Sequence, residues 1–303
     1  MNLYKYSVHM TNEYEKKAFV QKCEDEFEEQ LENAAQKIIE SNSKIVTLSG
    51  PTCSGKTTTA ARFISAIEQS GKRVGVISID DFYKSREVLK KESLERGLQK
   101  VDYDSALSID LPYFEECMDG ILEKKKVMLP KYSFEMGQRE SLYEFDSSNY
   151  SCIILEGIQA VYPEITRLIH SGYKSVQISV KNDVEVNGSF FTSRQIRFLR
   201  RMIRDAKYRN APPELTFDMW KGVSENEDLH IMPFQGMYDI ELDSYMEYEP
   251  FMIKKEVERL LAHIDEDHEF YKKASEIRGK IADFFEIDPS YLPKMSVYHE
   301  FLG

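Results

Sequence analysis

The run Gly50-Pro51-Thr52-Cys53-Ser54-Gly55-Lys56-Thr57 sets two glycines, a lysine and a threonine at the spacing G-x-x-x-x-G-K-[ST]. Glycines in such a loop let backbone N–H groups curl around phosphate oxygens, and a helix starting just after it turns its positive end to the same anion. The chemistry expected is the holding of ATP and Mg²⁺. Gly50, Thr52, Cys53, Ser54 and Gly55 would form the cradle. Lys56 would reach the β- and γ-phosphates, Thr57 would ligate Mg²⁺, and Thr58 would extend the contact into the helix. Cys53 reads as tolerated rather than catalytic. A helix N-terminus lowers a neighbouring thiol pKa, so alkylation of Cys53 is expected to block nucleotide binding.

Asp80 and Asp81 follow the β-prone run of residues 74–79. A carboxylate at the end of such a strand can orient an acceptor hydroxyl and take its proton late in phosphoryl transfer. Asp80 is the candidate base, and Asp81 reads better as a cap for the next turn. Glu156 follows Cys152-Ile153-Ile154-Leu155 and precedes Gly157. If that strand is central, its carboxylate emerges beside the loop as a hard ligand for nucleotide-bound Mg²⁺, with a capping role as the alternative. Between residues 194 and 209 seven basic side chains face one acid, Asp205. On a helix Arg197, Arg200 or Arg201, and Arg204 share a face. They suggest an anion site that neutralises a transferring phosphoryl group, with a solvated, ion-paired face as the alternative.

These groups need elements to position them. Ile45-Val46-Thr47-Leu48 reads as a strand entering the loop, and residues 56–69 as the helix leaving it. Residues 74–79, 152–155, 176–180 and, more weakly, 239–242 read as further strands separated by helical or irregular sequence, the pattern of a doubly wound parallel sheet. Residues 181–191 have the composition of a loop. In residues 13–40 the positions Phe19, Cys23, Phe27, Leu31, Ala35 and Ile38 recur at steps of three and four, giving an apolar stripe that expects a packing partner. Soft boundaries near Ser43 and Asp265 divide the chain into an N-terminal helical extension (1–43), a phosphate-loop domain (44–265) and a C-terminal helical tail (266–303).

The 303 residues carry 40 basic and 52 acidic side chains, a net charge of −12. That balance argues against general binding of nucleic acid or anionic membrane. No run approaches the roughly 18 apolar residues of a spanning helix, and the N-terminus has no signal-like apolar stretch, so a cytoplasmic chain is expected. Cys23, Cys53, Cys117 and Cys152 are scattered and suggest neither zinc nor disulfides. The expected partner is a small molecule, and a homo-oligomer is left open.

Taken in order, five segments resemble the uridine kinase and phosphoribulokinase superfamily, most closely its bacterial-type uridine-kinase-like nucleoside kinases. They are residues 50–57, Ile79-Asp80-Asp81-Phe82-Tyr83, Pro130-Lys131-Tyr132-Ser133-Phe134, Leu155-Glu156-Gly157-Ile158 and the arginine run of residues 197–205; residues 233–244 also resemble a late nucleotide-proximal segment. The resemblance implies an α/β P-loop NTPase fold of about five parallel strands flanked by helices, with an arginine-rich lid helix that moves over the phosphates. It implies Asp80 as base at a nucleoside 5′-hydroxyl, with Lys56, Arg200 and Arg204 on the phosphoryl group. Arg197 and Arg201 fall on ATP, and Thr57 and Glu156 on the metal. Tyr83, Asp104, Tyr132, Arg139 and Arg209 fall in the substrate pocket. The base-reading histidine of uridine kinases is replaced here by Gly137, which weakens discrimination between bases. A uridine- or cytidine-like acceptor is the first reading. A sugar phosphate or pantothenate-like alcohol is the alternative within the fold, and a nucleotide switch or non-catalytic ATP-binding protein is the alternative from another class.

Overall fold

The strand Ile45–Ser49 is buried along its whole length, which requires strands on both sides and cover on both faces. In the computed structural model, which describes residues 3–98, 101–103 and 105–303, it has both. Asp104, one of the expected pocket residues, lies outside the described residues.

In chain order the elements are β1 (Leu3–Tyr6), α1 (Glu13–Ser41), β2 (Ile45–Ser49), α2 (Lys56–Glu68), β3 (Val74–Ser78), α3 (Arg86–Glu95) and α4 (Leu111–Leu122). Next come β4 (Lys126–Ser133), β5 (Gln138–Asp146), β6 (Cys152–Glu156), α5 (Pro163–Thr166), β7 (Tyr173–Ser179), β8 (Asp183–Val186) and β9 (Ser189–Phe191). The chain ends with α6 (Ser193–Arg209), α7 (Pro213–His230), β10 (Ile240–Asp243), α8 (Glu249–Leu261), α9 (Tyr271–Ile281) and α10 (His299–Leu302). Five strands pair in parallel in the order β10-β7-β2-β6-β3. Successive side chains of a strand point to opposite faces, so β2 and β6 feed two cores. Val46, Leu48 and Ile154 join the core built with α1, α2, α6 and α8. Ile45, Ile153 and Leu155 join the core built with α4 and the β4–β5 hairpin.

The stripe on α1 is buried at Phe19, Cys23, Phe27, Leu31, Ala35 and Ile38, in the first of these cores. Val297 and Phe301 of the C-terminal segment pack into the same core. No change of core therefore coincides with the boundaries expected near Ser43 and Asp265.

Residues 181–191 are not a plain loop. They form the hairpin β8–β9, turned by Asn187 (φ 48°) and Gly188 (φ 83°), the two left-handed residues of the turn that matches the twist of paired strands. β1 adds to β8 in parallel, Leu3 opposite Asp183. Strands of three and four residues are too short to show periodicity, so only the turn composition was visible.

Arg200 of α6 is 0% exposed. Its Nε and Nη2 donate to Glu249 at 2.7 and 2.8 Å, Nη2 also to Tyr298 Oη at 2.8 Å and to the Ser244 carbonyl at 2.9 Å, and Nη1 to Ser244 Oγ and the Cys53 carbonyl. Tyr298 Oη in turn donates to Glu249. Removing one member of a buried pair strands the other's charge, a loss of about 3–5 kcal/mol. Urea unfolding of Arg200→Ala or Glu249→Ala is expected to show a loss of that order, much of it recovered in the apolar double variant Arg200→Met/Glu249→Leu. An unchanged midpoint in Arg200→Ala would show the network to be energetically idle.

Candidate active site

β2 hands the chain directly to the glycine-rich loop. A Cβ on Gly50 would lie 2.4 Å from the Ile178 carbonyl oxygen and 2.7 Å from Ser54 Oγ, so only glycine fits between the loop and β7. Cys53 and Gly55 take the left-handed conformation, at φ 56° and 80°. Gly55 is also the N-cap of α2 and gives it no side-chain cap, which leaves the first-turn N–H groups available to an anion. Ser54 Oγ is buried and has no partner among the described residues, and Thr57 is exposed. An uncapped helix start, an orphaned hydroxyl and a bare threonine suit a triphosphate with a bound divalent cation. Among the described residues no cluster of His, Cys, Asp and Glu could hold a metal alone.

The parallel register brings the carboxylates to this loop. Glu156 ends β6 opposite Leu48 of β2 on one side and Ser78 of β3 on the other, so it stands between the start of the loop and Asp80. Asp80 lies in the 3₁₀ turn Ile79–Phe82 just beyond β3. Burial pushes its pKa up, Lys56 pulls it down, and Glu156 and Asp81 push it up. Asp81 faces away: Oδ1 accepts the Tyr132 backbone N–H at 3.0 Å and Oδ2 the Lys131 ammonium at 3.2 Å. It secures the turn against the β4–β5 hairpin, a long-range contact in place of the local cap expected of it.

The arginine helix is where expectation and structure part. Its apolar side, with Ile196, Leu199, Met202 and Ile203, is sunk in the core, so that side of α6 is packed on the body of the protein. Arg200 cannot act on a phosphoryl group from its enclosed position, because its guanidinium is spent on Glu249, Ser244, Tyr298 and the Cys53 carbonyl. Arg197 chelates Glu227 at 2.5 and 2.6 Å and donates to the Thr52 carbonyl at 3.2 Å. Arg201 bonds Asp205 at 3.1 Å and reaches Thr52 Oγ1 at 3.5 Å. These three grip the loop from the protein side. Arg204, paired with Glu300 at 3.3 Å, and Arg209, paired with Asp205 at 3.0 Å, lie farther along the helix. Cys53 also departs from expectation. Burial pushes its thiol pKa up despite Arg204, Thr52 and Arg201, where a helix N-terminus alone would lower it.

Beyond the turn that carries Asp80, Tyr83, Tyr132 and Phe134 form an aromatic triangle with ring centroids 5.1–5.7 Å apart. Tyr83 Oη donates to the Tyr103 carbonyl at 2.6 Å and accepts from Gln159 Nε2 at 2.9 Å. Arg139, opposite Tyr132 in the hairpin, pairs with Asp110 at 3.2 Å and lies 4.3 Å over the Tyr113 ring. Gly137 sits at φ 68°, and a Cβ there would meet Arg86 Nε at 2.7 Å and Cζ at 2.8 Å. The place expected of a base-reading side chain is thus filled by Arg86, which also donates to the Phe134 carbonyl at 2.7 Å. Neither Arg86 nor Gln159 belongs to a spacing that marks it in the sequence. Gly137 was the one available hint, since a missing side chain leaves room for another.

The description of the family model that matches residues 45–247 is Phosphoribulokinase / Uridine kinase family. A uridine kinase of Ureaplasma parvum serovar 3 is 29% identical over 190 residues, 62% of this chain and 82% of that protein. A uridine kinase of Lactobacillus helveticus is 26% identical over 178 residues, 59% and 75% of the two chains. Among solved structures, a candidate fructose transport system kinase from Silicibacter sp. TM1040 superposes with a TM-score of 0.51 at 14% identity, covering 70% of this chain and 98% of the other. That likeness shows the fold alone. No helix among the described residues is long and apolar enough to cross a membrane. With the family model matched over more than half its length, the chain belongs to the phosphoribulokinase / uridine kinase family and is a phosphotransferase with an alcohol group as acceptor.

Proposed function

We propose that the protein is an ATP- and Mg²⁺-dependent kinase that transfers the γ-phosphoryl group to the 5′-hydroxyl of a nucleoside, uridine or cytidine first. The observation that carries this reading is the position of Asp80. It lies at the C-terminal end of the sheet, within electrostatic reach of Lys56 and Glu156, one turn from the aromatic triangle that would take a flat base. Asp80 orients the acceptor hydroxyl. As its oxygen bonds to the γ-phosphorus and the bond to the β-phosphate bridging oxygen breaks, Asp80 takes the hydroxyl proton. Lys56 draws negative charge toward the loop, and Arg204 adds to it from α6. Arg197, Arg200 and Arg201 hold the loop backbone in shape. Thr57 and Glu156 would hold Mg²⁺, which supplies charge neutralisation on the phosphates.

Arg86 favours a second reading, a small alcohol bearing a carboxylate or phosphate, because a guanidinium recognises such groups with charge-assisted bonds. Purified protein with ATP and Mg²⁺, assayed against nucleosides and against anionic small alcohols, separates the two. Turnover of uridine or cytidine is expected. Turnover of anionic alcohols alone would select the second reading, and ATP binding without transfer to any acceptor would point to a switch or binding protein.

Asp80→Asn is expected to abolish transfer while leaving ATP affinity within a few-fold; full activity in that variant would falsify the base assignment. Since the Asp80 pKa is raised, kcat/KM should fall on acidification at a pH above the ordinary aspartate value of about 4. The same shift makes ionisation of Asp80 destabilise the folded state, a cost that builds between the unfolded and the folded pKa and is complete above the latter. Asp80→Asn should therefore raise Tm at pH 8, with the gain shrinking toward pH 4. Arg86→Ala is expected to raise the acceptor KM by about 10- to 150-fold, the loss of one charged hydrogen bond of ~1.5–3 kcal/mol, with the ATP KM unchanged.

A further inference from the structure

Helical spacing puts Ile203 and Lys207 of α6 on one face, and Met252, Lys255, Glu256 and Arg259 of α8 on another. Both faces line a single cleft, together with the first turn of α1, residues 286–289, Tyr291 and Leu302. It measures about 970 Å³, within the range of about 300–1,000 Å³ that holds a small organic ligand. Among the described residues it takes none from the phosphate loop, from the turn that carries Asp80 or from the β4–β5 hairpin. Apart from Ile203 and Lys207, its walls lie outside the stretch 45–247 that carries the family match.

The floor of the cleft is apolar, with Ile203, Met252 and Ile287 all buried. The charges around it differ in how they are matched. Lys16 bonds Glu13 at 2.8 Å, and Arg259 holds Glu256 through Nε at 3.0 Å and Nη2 at 2.5 Å. Glu286 and Asp288 flank the buried Ile287 in an extended stretch and are exposed, because alternate side chains turn away from the side on which the middle one is buried. Lys207 and Lys255 are the cations left over. Among the described residues Lys207 Nζ donates only to the neutral Leu302 carbonyl, and Lys255 has no hydrogen bond or ion pair. Glu256 and Asp288 feel these ammoniums through space without closing on either. Each lysine stands one helical turn from a floor residue, Lys207 from Ile203 and Lys255 from Met252, so its stem can lie along the apolar surface with the ammonium at the wet mouth.

We propose that this cleft is a second ligand site, separate from the phosphate loop, and that it takes an amphipathic organic acid. The apolar body lies on Ile203, Met252 and Ile287, and the carboxylate meets the ammoniums of Lys207 and Lys255. Covering the floor removes apolar surface from water. The carboxylate gives both lysines the charged partner they lack, through charge-assisted hydrogen bonds. A neutral molecule of the same shape gains the floor alone, and a bare carboxylate gains the lysines alone.

Calorimetry on the 303-residue chain with octanoate, 1-octanol and acetate tests this. The same titrations are run on Lys207→Met/Lys255→Met, which keeps the stems and removes the charges, and on Lys255→Glu. Both lysines are exposed, so neither variant disturbs the core. The expected result is one octanoate per chain, with 1-octanol and acetate each binding at least about tenfold more weakly. The octanoate Kd should rise about tenfold in the double variant and at least as much in Lys255→Glu, while the Kd of 1-octanol stays the same. No octanoate binding to the unaltered chain, or several weak and equal sites, overturns the proposal. Octanoate affinity unchanged in both variants, or equal to that of 1-octanol in the unaltered chain, overturns it as well, because the lysines would then take no part.

Discussion

A single guanidinium, that of Arg200, joins parts of the molecule that are far apart in sequence. Its partners Glu249, Ser244 and Tyr298 are 49, 44 and 98 residues away, and Cys53 is 147 residues in the other direction. A charge with no access to water must be matched by acceptors of good geometry, or it does not stay charged in the interior. The matching fixes the end of β10, the start of α8 and the last turn of the chain around the Cys53 carbonyl. The left-handed residue at the tip of the phosphate loop is therefore held from behind by a network that makes no contact with solvent.

Around that fixed loop the parallel sheet does the remaining positioning. Strands running the same way end on the same edge, and functional groups in open α/β sheets gather there. β2 ends in the loop, β6 in Glu156 and β3 in the turn that carries Asp80. The carboxylates are brought near one another and near Lys56 by strand register alone. Burial raises the pKa of Asp80, the kind of shift a buried carboxylate undergoes at the end of such a strand.

What could be read from the sequence follows a physical divide. The loop, Asp80, Glu156 and the stripe on α1 were legible because each is a local pattern: a fixed spacing, a residue just past a buried apolar run, a helical period. The arginines were legible as a cluster but not in their roles. A side chain as long as arginine's can turn to solvent or to the core, and what decided for Arg200 was Glu249 and Tyr298, which no local window contains. Arg86 was hidden for a related reason: it reaches the acceptor side only because the β4–β5 turn, at Gly137, lacks a side chain. The β8–β9 hairpin was read as loop because its strands are shorter than one period of evidence.

The way α1 is packed bears on how the chain is made. Its apolar stripe and its buried Glu24 are completed by Tyr248, Ser296 and the segment holding Phe301, with Tyr248 and Ser296 lying 224 and 272 residues further along the chain than Glu24. At about 5–20 residues per second, the helix waits on the order of tens of seconds for its partners. During synthesis the nascent chain therefore carries an uncovered apolar helix ahead of an unfinished sheet. Apolar surface left open in this way is prone to aggregate until the later segments arrive to cover it.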